Sequence, residues 1–139
     1  PSKPIKYDDG IFRFIPNNCN RACYIVEPGE FVLMATNERL IIPNGIVGIA
    51  CGRSSIARLA IQTEQAGFID SGFHGTITLE VHNQSQYPIV LYSGMRIAQV
   101  YFIRSQRAAT VYGIGRKSKY NGQLEATGSH IHLDTEFNR

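Results

Sequence analysis

Short apolar stretches recur along the chain, and Gly and Pro break them at roughly ten-residue intervals: Pro28-Gly29, Pro43-Asn44-Gly45, Ser71-Gly72, Pro88 and Ser93-Gly94. That rhythm suits short strands joined by turns. The expected strands are Phe31 to Met34, Arg39 to Ile42, Ile46 to Ala50, Thr76 to Val81, Ile89 to Leu91 and Ile97 to Phe102. Several are rich in β-branched or aromatic residues, which fit a pleated surface. They predict an all-β barrel or sandwich of short strands. One short helical turn is expected at Ser54 to Leu59, which follows a Gly and sets Ser54 and Arg58 on one face. Around the fourth strand, Thr76, Thr78, Glu80 and His82 alternate with Ile77, Leu79 and Val81, so Glu80 belongs to the polar face with the threonines.

The pattern fades beyond Tyr112. Residues 112–139 carry Gly113, Gly115, Gly122 and Gly128 among polar and basic residues with few apolar anchors. A core over residues 1–111 followed by a flexible C-terminal arm is therefore expected. Size agrees with this reading, because 139 residues at 43% hydrophobic content make one domain with an ordinary core. The net charge of +3 is mild, and basic residues are spread out until Arg116, Lys117 and Lys119. Such a balance suits a small anionic ligand better than a nucleic-acid duplex. With no apolar run of about 18 residues and no charged-then-apolar leader, neither membrane nor export is indicated, and a cytoplasmic protein is expected. Cys19, Cys23 and Cys51 are an odd set without a second close pair, so they read as free thiols. The chain begins at Pro1, and is expected to be a processed product or to lack upstream sequence.

Four clusters could carry chemistry. Gly52 to Arg58, GRSSIAR, gathers two hydroxyls and two guanidinium groups just after a strand. Hydroxyls and Arg forks match phosphate oxygens, although the same segment taken alone reads equally as a solvated turn with a capping serine. In Ala66 to Asn83, an Asp70-Ser71-Gly72 turn leads into the strand that carries Glu80. A lone strand carboxylate is ordinarily just exposed; its company gives it interest. Pro88 to Val100 holds a Ser93-Gly94 turn and a strand with Gln99. Tyr112 to Gln123, YGIGRKSKYNGQ, is Gly-spaced, cationic and aromatic, which suits closure over a nucleoside triphosphate as well as it suits a plain tail.

In this order and spacing the four clusters resemble the superfamily of dCTP deaminases and dUTPases, over about Phe31 to Ser129. Both branches share the GRSS-like turn, the Ile-Asp turn and the Gly-Met-x-Ile-x-Gln strand. Glu80, following Ile77-Thr78-Leu79, looks like the deaminase branch, as does Lys119 to Gln123 followed by Thr127-Gly128-Ser129. Gly67-Phe68 before Ile69-Asp70 looks like members that carry dCTP through to dUMP. The resemblance implies a dUTPase-like distorted β-barrel and a homotrimer with sites between subunits, binding dCTP or dUTP with Mg²⁺ on the triphosphate. It implies Arg53, Ser54 and Ser55 at the phosphates, Arg58 beside Glu80, and Asp70 at the deoxyribose 3′-hydroxyl. Thr78, Leu79 and Glu80 would face the base, with Gln99, Tyr112, Lys119 and Gln123 completing the pocket. Tyr7-Asp8 departs from the N-terminal motif of both branches.

Deamination at cytosine C4 needs an activated water and a proton for N3, work that one carboxylate can do. Zinc deaminases carry H-x-E and P-C-x-x-C signatures, which this sequence lacks. The expectation is a metal-free hydrolysis with Glu80 moving protons, Ser54 holding water and Arg58 fixing the charge of Glu80. The alternatives are a dUTPase in which Asp70 places the water and Glu80 is incidental, or a non-catalytic nucleotide-binding regulator. His74, His82, His130 and His132 have no role in these readings.

Overall fold

A computed structural model of the chain describes residues 7–8, 11–12, 22–114 and 118–134. Cys19, Gly115, Arg116 and Lys117 lie outside the described residues. The strands in chain order are β1 (Tyr7–Asp8), β2 (Ile11–Phe12), β3 (Cys23–Val26), β4 (Phe31–Ile41), β5 (Ile46–Gly52), β6 (Ile61–Gln62), β7 (Phe68–Ile69), β8 (His74–Asn83), β9 (Ile89–Tyr92) and β10 (Ala98–Arg104). A single helical turn, α1 (Ser54–Ala57), and a 3-10 turn, Ile131–Leu133, complete the described elements. The expected all-β class with one helical turn is what the chain adopts.

Every described pairing is antiparallel, in small sheets ordered β4-β8-β6, β10-β5-β7, β3-β9 and β1-β2. Short strands split among several sheets can wrap around a core only by bending and changing partners, which gives a distorted barrel. Two clusters fill it. Leu79 and Val81 of β8 pack with Val26, Ile56, Ile61, Leu91 and Ile97, and Ile42, Ala50, Ile69 and Phe73 form a second cluster under β5 and β7. Ile56 is the one buried residue of α1, so it pins that turn to the first cluster. Asn83 ends β8 inside the core, where its Nδ2 donates to Val26 O and Tyr87 O and its Oδ1 accepts from Ser85. A buried amide satisfied on both sides fixes the turn into β9.

Three expectations change. The separate strands at Phe31 to Met34 and Arg39 to Ile42 are one strand with a register shift between Ala35 and Arg39. Thr36 makes the irregularity tolerable, because its Oγ1 donates to Glu38 O at 2.8 Å and accepts Ile77 N at 3.0 Å. β10 runs to Arg104, with Ala98 to Arg104 paired along Gly52 to Ile46.

The third change concerns the arm, whose described part is docked along β8 instead of hanging free. Gly122 N donates to His74 O, Thr76 N to Gln123 O and Thr127 N to Thr78 Oγ1, while Asn121 Oδ1 accepts His74 N. Gly75 makes room for it: at φ +142 it sits where side chains are strained, and a Cβ there would stand 2.7 Å from Gln123 O. Main-chain bonds replace the apolar anchors whose scarcity suggested mobility.

Candidate active site

The docked arm turns the polar face of β8 into the wall of a cleft of about 750 Å³. Its lining brings together Glu80, Thr78, Asp70, Phe68, Tyr112 and Gln123, with Gly67 and Tyr120 beside them. Period-two alternation explains the two roles of β8: Leu79 and Val81 turn into the core, and Thr78 and Glu80 turn into the cleft. Leu79 thus has its side chain in the core and can reach a ligand in the cleft only through its main chain.

Glu80 is held by backbone, not by a guanidinium. Its Oε2 accepts Gln65 N at 2.8 Å and Ala66 N at 3.2 Å, both from the segment between β6 and β7. Two amide donors on one oxygen fix the carboxylate's orientation, and Oε1 has no donor among the described residues. Among the described residues, Arg58 is not a partner of Glu80; it lies exposed at the end of α1, which Ile56 ties to the opposite side of β8.

The segment that supplies these amides is tightly placed. Ala50 N donates to Gly67 O at 2.7 Å, and a Cβ on Gly67 would stand 2.2 Å from Ala50 O, so only glycine fits against β5 here. The neighbouring Phe68 is largely exposed at the cleft mouth, 59% of its surface being free. Asp70 caps the turn into β8, its carbonyl accepting Phe73 N at 3.1 Å. Tyr112 is tilted against Phe73 at 6.1 Å, and its OH accepts Tyr120 N at 3.0 Å.

Gln123 carries an unmet demand. Its Nε2 donates to Thr76 O at 2.7 Å, but Oε1 is buried with no donor among the described residues. An unsatisfied buried acceptor costs about 1–3 kcal/mol. A ligand N–H at that position would recover the loss.

The phosphate-type turn stands apart from this cleft. Arg53 caps α1 with no side-chain capping bond and instead donates from Nη1 to Arg96 O at 2.7 Å. Ser54, Ser55 and Arg58 are exposed, and Gln99 Nε2 donates to Cys51 Sγ and Gly52 O at the start of the same turn. None of these five lines the Glu80 cleft. Lys119 lies next to the lining, with its ammonium on Asp134. Cys23 and Cys51 are free thiols.

Sequence reasoning missed Glu64 and Gln65, and held Ala66 and Tyr120 only as members of their clusters, without a role of their own. Glu64 lines the cleft and accepts Thr63 Oγ1 at 2.8 Å. Its charge and its place just before the Ile-Asp turn were the available signals. The Gln65 and Ala66 contributions are amides, which leave no mark on a side-chain pattern. A second groove of about 560 Å³ lies between β4 and the β9–β10 turn on an apolar floor including Val32, Met34 and Leu91, and of the expected site residues it takes only Leu79.

A small antiparallel barrel of short strands is the dUTPase-like fold. A point-mutant dUTPase from phage phi11 of S. aureus, solved with a coordinated structural Mg(II) ion, superimposes with a TM-score of 0.52 at 21% identity, over 62% of this chain and 73% of that one. Within that architecture the chain belongs to the dCTP deaminase-like family, whose profile matches residues 9–105. It is 44% identical over 114 residues to the dUMP-forming dCTP deaminase of Methanosphaerula palustris, covering 81% of this chain and 61% of that protein. It is also 44% identical over 116 residues to the dCTP deaminase of Haloarcula marismortui, covering 82% and 60%. The chain thus spans about three-fifths of the length of these relatives. Among the described residues, no helix is long and apolar enough to cross a membrane.

Proposed function

We propose that the chain deaminates dCTP hydrolytically at cytosine C4 and then cleaves the triphosphate to dUMP and pyrophosphate. The observation that carries this reading is Glu80, a carboxylate oriented by two backbone amides inside a nucleoside-sized cleft that it shares with Asp70. In the first step Glu80 takes a proton from water as its oxygen adds to C4, and delivers that proton to N3. Glu80 then carries the proton of the C4 hydroxyl to N4, so that the C4–N4 bond breaks, C4=O forms and ammonia departs. A donor on the base, such as the exocyclic amine of cytosine, would satisfy the orphaned Gln123 Oε1. Asp70 would meet the 3′-hydroxyl and, in the second step, place the water that attacks phosphorus. The Gly67-Phe68 pair favours the dUMP-forming outcome.

The separation of Arg53, Ser54, Ser55, Arg58 and Gln99 from the cleft supports a homotrimer in which these groups serve the cleft of a neighbouring subunit. β10 supports it as well, for it is an edge strand with Tyr101, Phe102 and Ile103 each about half exposed. There Ser54 would hold the water and Arg58 would fix the charge of Glu80. Mg²⁺ would arrive with the triphosphate as part of the substrate. Bound in that way, it would neutralise phosphate charge and ease departure of pyrophosphate. The free thiols and the deoxynucleotide substrate fit the cytoplasm.

Glu80→Gln tests the assignment. Gln retains the oxygen that accepts both amides, so dCTP binding should persist while ammonia release falls by about 10²–10⁴-fold, the usual worth of a general acid/base. Ordinary ammonia release by this variant would sink the assignment. Pyrophosphate from dUTP without ammonia from dCTP in the unaltered protein would make it a dUTPase instead.

A further inference from the structure

Lys119 is expected at the nucleotide, yet its ammonium is held by Asp134 through both carboxylate oxygens, at 2.7 and 2.8 Å. We propose that Asp134 is a resident counter-ion that competes with nucleotide phosphates for Lys119 and so sets the affinity of the cleft for highly charged nucleotides. The proposal rests on the nucleotide reading given above.

The geometry makes such an exchange feasible. Asp134 follows the 3-10 turn Ile131–Leu133, which folds the chain back over Lys119 and Tyr120. That clasp has fastenings that do not use the ammonium. His130 N donates to Tyr120 OH at 3.0 Å, His130 Nδ1 meets Lys119 O at 3.0 Å, and the His130 and Tyr120 rings stack at 5.1 Å and 15°. Tyr120 is in turn part of the cleft wall. The wall can therefore stay in place while the ammonium changes partner.

The ion pair is also weak enough to yield. Both of its side chains are about one-third exposed, so water reaches the pair and screens it in part. A triphosphate offers the same kind of oxygen acceptor at higher charge, and the four-carbon lysine stem can swing toward it. Until then Asp134 keeps the ammonium parked beside the cleft.

Calorimetric titration with dCTP and dCMP, which share base and sugar and differ in phosphate charge, tests this on the full chain. D134N should tighten dCTP binding roughly two- to fivefold, the range that exposed ion pairs span, and leave dCMP unchanged. The gain should vanish in a K119A background, since no ammonium remains to release. D134E, which retains the charge, should keep the original ratio of dCTP to dCMP affinity. Weaker dCTP binding by D134N, or an equal change for both nucleotides, would reduce Asp134 to a structural fastening and overturn the proposal. A parent chain that binds neither nucleotide would instead overturn the nucleotide reading, and the competition with it.

Discussion

Gly67→Ala is the change that most directly couples the fold to the chemistry. The added Cβ would sit 2.2 Å from Ala50 O and 3.1 Å from Ala50 C, both backbone atoms of a central strand that cannot swing aside. Ordinary carbon contacts begin near 3.5 Å, so the segment must retreat from β5 by roughly 1 Å. Retreat breaks the 2.7 Å bond from Ala50 N to Gly67 O, worth about 0.5–1.5 kcal/mol. Overpacking adds about 1–3 kcal/mol. Together they predict a stability loss of about 1.5–4.5 kcal/mol, read as a lower urea midpoint at unchanged slope. The same retreat carries Gln65 N and Ala66 N, the two donors on Glu80, away from the carboxylate. Hydrogen bonds to a charged group are worth about 1.5–3 kcal/mol each, so losing one in the transition state slows ammonia release by roughly tenfold to a hundredfold. Comparing kcat with KM for dCTP separates this from a loss of binding. Stability within about 0.5 kcal/mol of the parent, with unchanged ammonia release, would refute the packing argument and the amide argument together.

Two further outcomes can be checked. Tyr24 OH donates to Glu30 at 2.5 Å, a bond that raises the phenol and, with help from Glu27 N, holds the Glu30 carboxyl below its ordinary range. The Glu30 contribution is present above the ordinary carboxylate range and is lost as pH falls through its lowered pKa, so Tyr24→Phe should move the Glu30 titration upward by NMR; an unmoved midpoint would discard that cause. Mixing Glu80→Gln chains with Arg58→Ala chains should restore roughly a quarter of the sites if the α1 turn of one subunit serves the cleft of another, and no recovery would place both halves in one chain.

How far the sequence exposed this structure follows from which contacts carry side-chain signatures. The long strands and the turns between them were legible because period-two alternation and Gly or Pro punctuation are imposed by geometry that side chains must obey. The two-residue strands β6 and β7 are too short to show any period, and β3 is little better. Thr36 hid the continuity of β4, since one hydroxyl bridges a bulge that otherwise reads as two strands and a loop.

The cleft was half legible for the same reason. Glu80, Asp70, Thr78, Tyr112 and Gln123 announce themselves as polar or aromatic side chains at turns and alternating positions, and the fold collects them. What holds them does not announce itself: Gln65 and Ala66 act through amides, and the arm acts through the backbone of Gly122, Gln123 and Thr127. The nearest sequence trace of these contacts is glycine, Gly67 where the segment meets β5 and Gly75 where the arm meets β8. In such a barrel, then, the candidate reactive groups are written in side chains, whereas their orientation is written in the absence of side chains at places such as Gly67 and Gly75 where backbones must touch. It follows that enlarging either glycine should disturb catalysis more than removing any single exposed contact around the cleft.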